Sequence, residues 1–461
     1  MWKFRQMRVA YSSATSDAPT HLILLLHGYM GYSDNMAVMA SSLREKFGSE
    51  ALVLAPNVYA LLKSHDGIDV IARRVMENIR ATVAAHPTLT DISLIGYSMG
   101  GLLARFLAGL LVIEPLPFLG LAPVNLVTVG TPHVGARRVI DTSLSTRFLF
   151  LLSWYIGGRS GVQMMCIDRD VHLLALMACR RSAFASGAAK FQRRALYSNS
   201  NADHTVPFWT SFVAPWAGSA PSQPPIGRGD EPRVDSDRYP HIAWEGTLCS
   251  SNDQQSERRS LQGGDLSAPD GSYAPRGTDL RVTETCGSSH PAERLSLPQV
   301  CVLMCLAVFA LCVVLPLWFT IVLPLALSVS LCASIGARPP PRLERELSVL
   351  QSEAADTTGA GDEGGSGEKG DGDRETVWSS AVLAAEIEAT GASCVNEWMA
   401  AELNSLLWHK VSVRFSMAVD GLAALQTHGH IIVRNRRVWF LGTDVVRHLA
   451  DQMRHPNLRR L

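Results

Sequence analysis

The chain has 461 residues, enough for two or three domains, and its 42 basic and 42 acidic residues cancel. That balance excludes the basic footprint expected of a nucleic-acid binder and the charged field expected of a strongly acidic or basic partner. Nine cysteines are present, but four of them (Cys301, Cys305, Cys312, Cys332) share one apolar segment and the rest lack metal-ligand spacing. With no N-terminal apolar core stretch before Asp17, the expectation is a reduced, cytosol-facing protein without a secretory signal.

In chain order, Leu22–Leu26 is a continuous apolar run, as for a strand buried on both faces. Ser33 or Asp34 is placed to cap a helix running to about Phe47. Residues 51–54 form a second short strand, and residues 70–84 carry Ile71, Val75, Ile79 and Val83 at helical spacing. Residues 92–97, 124–129 and 194–198 are further strands. Such alternation predicts an α/β fold with a mostly parallel central sheet.

A change of character follows. The predicted division is 1–215 as the first part of the α/β domain, 216–294 as a disordered polar insertion and 295–340 as a hydrophobic segment. Residues 341–377 form an acidic, Gly-rich linker, and 378–461 form the second part of the α/β domain. In that last part a helix is expected from Trp378 to about Leu407, then closing strands at 411–415 and 431–434. From Leu297 to Ala337 there is no Asp, Glu, Lys, Arg or His. About 20 apolar residues cross a bilayer, so this length permits one crossing or a hairpin bent near Pro316 and Pro324. Arg294 on one side and Arg338, Arg342 and Arg345 on the other suit a hairpin held at one surface.

The strongest chemical signal is Gly96-Tyr97-Ser98-Met99-Gly100-Gly101, between the strand and a helix-like run. Strand, G-x-S-x-G, helix is the context of a nucleophile elbow, and Ser98 is the predicted nucleophile. In that template an acid and then a histidine follow the serine along the chain. Asp203, in a short polar loop after the 194–198 strand, is the preferred acid; Asp168 and Asp170 are weaker competitors. His428, in Thr427-His428-Gly429-His430, is the preferred base and His430 the alternative base. His409 and His448 are expected to be solvent-exposed. The oxyanion hole is expected from the N–H groups of Met99 and Tyr29, the latter in His27-Gly28-Tyr29, with His27 packed beneath the loop. No cofactor or metal is called for.

The chain resembles the serine esterase family of eukaryotic α/β-hydrolases, related to fungal lipid-droplet lipases and plant lipase-like proteins. The resemblance rests on LLLHGYMGYSDNM at 24–36, SHDGIDV at 64–70, ISLIGYSMGGLLAR, VTVGTPHVGAR, SGVQMMCIDRD, RRALYSNSNADHTVPFWTS and THGHIIVRN, in the family's order. It implies an α/β-hydrolase fold, here interrupted by a long insertion carrying the hydrophobic hairpin, and an esterase or lipase acting on glycerolipids or phospholipids, with Ser98, Asp203 and His428 in the family's triad positions. His65, Asp66 and Asp69 precede Ser98, break the triad order and are expected to shape a loop. The insertion between Asp203 and His428 is longer than the family pattern.

The predicted function is hydrolysis of lipid esters at a membrane or lipid-droplet surface, on the endoplasmic reticulum or a droplet. Its partners are a lipid ester and the membrane itself, with no nucleic acid. Thioesterase, acyltransferase and catalytically silent membrane scaffold are the alternatives. The aromatic run Phe148–Tyr155 is a candidate lid or acyl-pocket wall.

Overall fold

The computed structural model describes residues 18–136, 157–166, 168, 172–214, 237–247, 389–390, 392, 395–416, 420–421 and 426–454. The two stretches on either side of the long insertion belong to one compact unit, Met1–Leu248 with Ala333–Leu461.

Seven strands form the central sheet: β1 (His21–Leu26), β2 (Ala51–Leu54), β3 (Asp91–Tyr97), β4 (Ala122–Val129), β5 (Arg193–Asn199), β6 (Ile242–Thr247) and β7 (His409–Val413). Their order is β2-β1-β3-β4-β5-β7-β6, parallel throughout except that the edge strand β6 runs antiparallel to β7. The helices are α1 (Ala37–Phe47), α2 (Ile68–Ala85), α3 (Met99–Val112), α4 (Gly158–Met164), α5 (Leu173–Ala178), α6 (Ala183–Lys190), α7 (Phe208–Ser211), α8 (Val395–Asn404) and α9 (Thr443–Gln452).

Both faces of the sheet are covered, which explains the unbroken apolar strands. On β1, Leu22, Leu24 and Leu26 enter a core with residues of α2, α3, α5 and α8. Ile23 and Leu25 point the other way, into a core shared with α1 and α9. The stripe Ile68, Ile71, Ala72, Val75, Met76 and Ile79 is the buried face of α2.

Two elements differ from the sequence expectation. The predicted strand at 431–434 is absent: His430–Ile432 is a 3₁₀ turn, with Ile431 and Ile432 buried against the sheet. A short apolar run carries no period that separates a strand from another buried segment. Conversely, β6 and its lead-in at 237–247 lie within the insertion expected to be disordered. This strand completes the sheet edge, burying Ile242 and Trp244 while Ala243 faces solvent.

The remainder of the polar insertion, the hydrophobic segment 295–340, the linker 341–377, most of 378–394 and the run 148–155 lie outside the described residues. Among the described residues no helix is long and apolar enough to cross a membrane.

Candidate active site

The strands bring the chemistry to one end of the sheet. Ser98 follows β3, Asp203 follows β5 and His428 follows β7, so all three emerge from the carboxyl ends of parallel strands. Ser98 is the half-in residue between β3 and α3, with φ 54° and ψ −125°. That conformation costs a non-glycine residue about 1–3 kcal/mol. The surroundings over-determine it. Ser98 N–H donates to Val129 O at 2.8 Å, and the carbonyl of Ser98 accepts from Gly101 N–H and Thr131 Oγ1, each at 3.0 Å. Gly96 and Gly100 are required by close approach: a Cβ on Gly96 would collide with the Gly100 carbonyl, and one on Gly100 with the Leu26 carbonyl.

His428 joins the three side chains. Its Nε2 is 3.1 Å from Ser98 Oγ and its Nδ1 is 2.8 Å from Asp203 Oδ2. Both partners of the second contact are buried, with side-chain exposures of 8% and 3%. Burial alone would push the Asp203 carboxyl up. The adjacent His428 imidazole and hydrogen bonds from the Val206 N–H and the Asn199 amide outweigh it and hold the carboxyl below its ordinary range. A carboxylate on Nδ1 leaves the lone pair of Nε2 facing the serine hydroxyl, the orientation a general base needs.

The two loops that bring Asp203 and His428 together are stapled. Thr427 N–H donates to Ala202 O at 3.1 Å and Thr427 Oγ1 to Asn201 O at 2.9 Å. Tyr97 Oη donates to the His428 carbonyl at 3.0 Å. Gly130, at φ 54°, passes so close that a Cβ there would sit 3.3 Å from His428 Cε1. Asn199, Asn201, Tyr97 and Thr427 escaped the sequence reading, although each stands within four residues of a predicted site residue. Asparagine and threonine beside a site are ordinary turn residues in sequence, and only contact across the fold distinguishes them.

The other predicted residues divide. Tyr29 and Gly28 line the same cavity as Ser98 and His428. A Cβ on Gly28 would lie 2.9 Å from Ser98 Cβ, so the turn lies directly against the serine. Met99 opens α3, where the first N–H groups have no partner within the helix. His27 is buried, stacked on Tyr59 with ring centroids 3.9 Å apart, and burial pushes its imidazole down to about 4.

His430 points elsewhere: its Nδ1 accepts from Leu441 N–H at 3.3 Å and its ring packs on Trp439 and Phe440. Asp168 accepts from Leu173 N–H at 2.6 Å and pairs with His172; Asp170 lies outside the described residues. Asp66 pairs with Arg74, and Asp69 accepts from Arg159 and Gln163, both at 2.8 Å, which ties α2 to α4. The expectation of exposed His409 and His448 fails. His448 is buried and His409 half-buried, and both reach Glu245 of β6, the strand that sequence reading missed.

The cavity holds about 140 Å³. Ligand pockets that enclose a drug-sized molecule run from about 300 to 1,000 Å³, so the part of this cavity bounded by the described residues is smaller than those. Exposed apolar side chains adjoin two of the lining segments. Met30 and Tyr32 follow the cavity-lining Tyr29, and the exposed Leu61, beside the exposed Leu62, is tied to that loop by Leu61 N–H to Gly31 O at 2.9 Å, as Met30 N–H is to Ser64 Oγ at 3.0 Å. Val438 and Phe440, on either side of the cavity-lining Trp439 in sequence, are also exposed.

A mostly parallel sheet bearing a serine at a strained strand-to-helix turn, in contact with a buried histidine, defines a serine hydrolase. Residues 16–217 match the family described as Putative serine esterase (DUF676), so the resemblance read from the motifs holds over that part of the chain. The chain is 25% identical over 220 residues to Putative lipase C4A8.10 of Schizosaccharomyces pombe, covering 45% of this chain and 27% of that protein. It is 25% identical over 208 residues to Putative lipase ROG1 of Saccharomyces cerevisiae, covering 43% and 29%. The matched stretch thus spans under a third of the length of either relative. Among solved structures, RedJ-Thioesterase from the prodiginine pathway of Streptomyces coelicolor is 23% identical and covers 30% of this chain and 49% of that one. Its TM-score is 0.21, an overlap too slight to bear on function.

Proposed function

We propose that the protein hydrolyses carboxylic esters of lipids by a Ser98–His428–Asp203 triad. The observation that carries this reading is the unbroken pair of contacts from Ser98 Oγ through His428 to Asp203. Ser98 Oγ attacks the ester carbonyl while His428 Nε2 takes its proton. The carbonyl oxygen becomes an oxyanion facing the N–H groups of Met99 and Tyr29. The C–O bond of the alcohol breaks as His428 returns the proton to the leaving oxygen, which leaves an acyl-Ser98. Water then attacks the acyl carbon, gives its proton to His428 and releases the fatty acid as Ser98 recovers its hydrogen. Asp203 stays ionised and stabilises the imidazolium throughout.

The exposed Met30, Tyr32, Leu61, Leu62, Val438 and Phe440, on or tied to segments that line the cavity, support an insoluble substrate, since exposed apolar side chains near a site favour contact with a lipid surface. We extend the proposal to a membrane- or droplet-associated enzyme facing the cytosol, with 295–340 as its hydrophobic anchor. Ser98 and Asp203 precede that segment and His428 follows it. Any bilayer crossing between them must therefore be even in number.

Fluorophosphonate labelling of the full chain in detergent tests the chemistry. Labelling of the wild type that is lost in Ser98→Ala and in His428→Ala is the expected result. Labelling retained by Ser98→Ala removes Ser98 as nucleophile. Release of fatty acid from detergent-dispersed lipid esters then tests the substrate class.

A further inference from the structure

Arg434 is a cation in the catalytic cavity for which the triad has no use. It is half-buried, lines the cavity with Ser98, His428, Gly429, Gln426 and Trp439, and makes no side-chain hydrogen bond or ion pair with a described residue. No carboxylate is among the described residues lining that cavity. By contrast, Arg74, Arg159, Arg180 and Arg238 each pair with a carboxylate.

Its position is built by the backbone. The turn after His428 closes with Val433 N–H on His430 O and Arg434 N–H on Gly429 O, each at 3.0 Å. These two bonds are those of a Schellman turn, which places one residue in the left-handed region. Here that residue is Val433, at φ 54° and ψ 53°, a conformation that β-branched side chains seldom adopt. Val433 is held there because it is buried with Ile431 and Ile432 in the core beneath. The turn therefore ties Arg434 to the backbone of the residue that follows His428. A Cβ on Gly429 would lie 2.6 Å from the Trp439 ring, so that glycine lets the ring lie against the same loop.

The imidazole that hands a proton to the leaving oxygen must come within reach of it, and Arg434 lines the same cavity from the loop that carries His428. A guanidinium offers a planar fork of donors that matches phosphate geometry. Taking the lipid-ester reading above as given, we propose that Arg434 is the anion-binding residue of this site. The preferred substrate is then an acyl ester whose alcohol carries a phosphate, a phospholipid and not a neutral glyceride.

The test compares 1-oleoylglycerol 3-phosphate with 1-oleoylglycerol in matched detergent micelles, using the full chain. The two differ only in the phosphate. The expected result is a kcat/KM ratio favouring the phosphate ester in the wild type. Arg434→Gln lowers that ratio about ten- to a hundredfold, the range for a hydrogen bond to a charged group. Arg434→Lys recovers part of it, and Arg437→Gln, on the exposed side of the same loop, leaves it unchanged. Added salt lowers the wild-type ratio by screening, a readout that survives if Arg434→Gln does not fold. A wild-type ratio of one or less, or a ratio unmoved by both Arg434→Gln and salt, overturns the proposal. Equal turnover of the two esters removes the anion site alone. Absence of both turnover and fluorophosphonate labelling removes the hydrolase reading beneath it.

Discussion

Asn201 grips Phe415 with both ends of its amide: Nδ2 donates to the Phe415 carbonyl at 2.5 Å, and Oδ1 accepts the Phe415 N–H at 3.2 Å. This pair locks the loop after β5 to the exit of β7. Asp203 and His428 depend on that lock, because they stand 225 residues apart in the chain. Asn201→Ala leaves the backbone N–H and C=O of the buried Phe415 without this partner, at a cost of about 1–3 kcal/mol. The expected outcome is a kcat at least about tenfold lower with little change in KM, because geometry and not binding is lost. Steady-state kinetics on a soluble short-chain ester check it.

Gly28 presses on Ser98, and its replacement separates activity from stability. In Gly28→Ala the new methyl must move the 28–31 turn away from Ser98 Cβ and the Tyr97 ring, 2.9 and 3.3 Å from the added carbon. Displacing one oxyanion donor costs about a hundred- to a thousandfold in kcat. Met30 and Tyr32 of the same loop are exposed, so the loop can shift without opening the core, and the melting temperature should fall by only a few degrees, the effect of about 1 kcal/mol in a domain of this size. Unchanged kcat in a folded variant would remove Tyr29 from the oxyanion hole.

Glu245 fastens the edge strand β6. Its Oε2 lies 3.1 Å from His409 Nε2 and 3.3 Å from His448 Nε2, and the hydrogen bonds from these two rings hold its carboxyl well below the usual range. Below its unfolded value the unfolded chain binds a proton that the native carboxylate refuses. The stability from Glu245 is therefore full above about pH 5 and is lost as the pH falls through the acid range. Glu245→Gln should lower stability by about 1–3 kcal/mol at pH 7. The gap to wild type should narrow towards pH 3, measured by thermal or urea unfolding.

Lys410 gives the counterpart of the same sign at higher pH. It lies inside the sheet on β7, donating to Val213 O at 3.0 Å and Asn404 Oδ1 at 2.7 Å, with its ammonium 5.2 Å from the Phe212 ring centroid. Burial pushes it down to about 7 from the ordinary 10.5. Between those values the unfolded chain binds a proton that the native state does not, so this residue makes stability rise with pH from about 7 to about 10.5. In Lys410→Met that part of the pH dependence should disappear. A slope identical to wild type would mean that the ammonium stays charged in the fold.

The elements that were legible in the chain are those whose local pattern has one meaning. Leu22–Leu26, Ile92–Tyr97 and the stripe of α2 are long or periodic, and burial on both faces or on one face follows from the pattern alone. Ser98 was legible because its turn is so tight that Gly96 and Gly100 must flank it. β6 was not, since an edge strand buries alternate residues of a short, partly polar segment set among Ser, Pro and Asp. The run at Ile431–Val433 was misread for the converse reason: three buried apolar residues fit a strand and a 3₁₀ turn equally.

The candidate site shows the same division. Residue type and chain order narrowed the acid and the base to a few candidates, because the chemistry demands a carboxylate and an imidazole after the serine. Which imidazole faces Ser98 is a matter of direction. His428 and His430 are two residues apart, and the turn that brings one to the serine sends the other onto Trp439 and Phe440. The chemical kinds present and their sequence along the chain are thus local properties, readable in one dimension. The staple of Asn201 and Thr427 and the close approach of Gly28 to Ser98 are contacts between distant segments, and they exist only once the strands have paired.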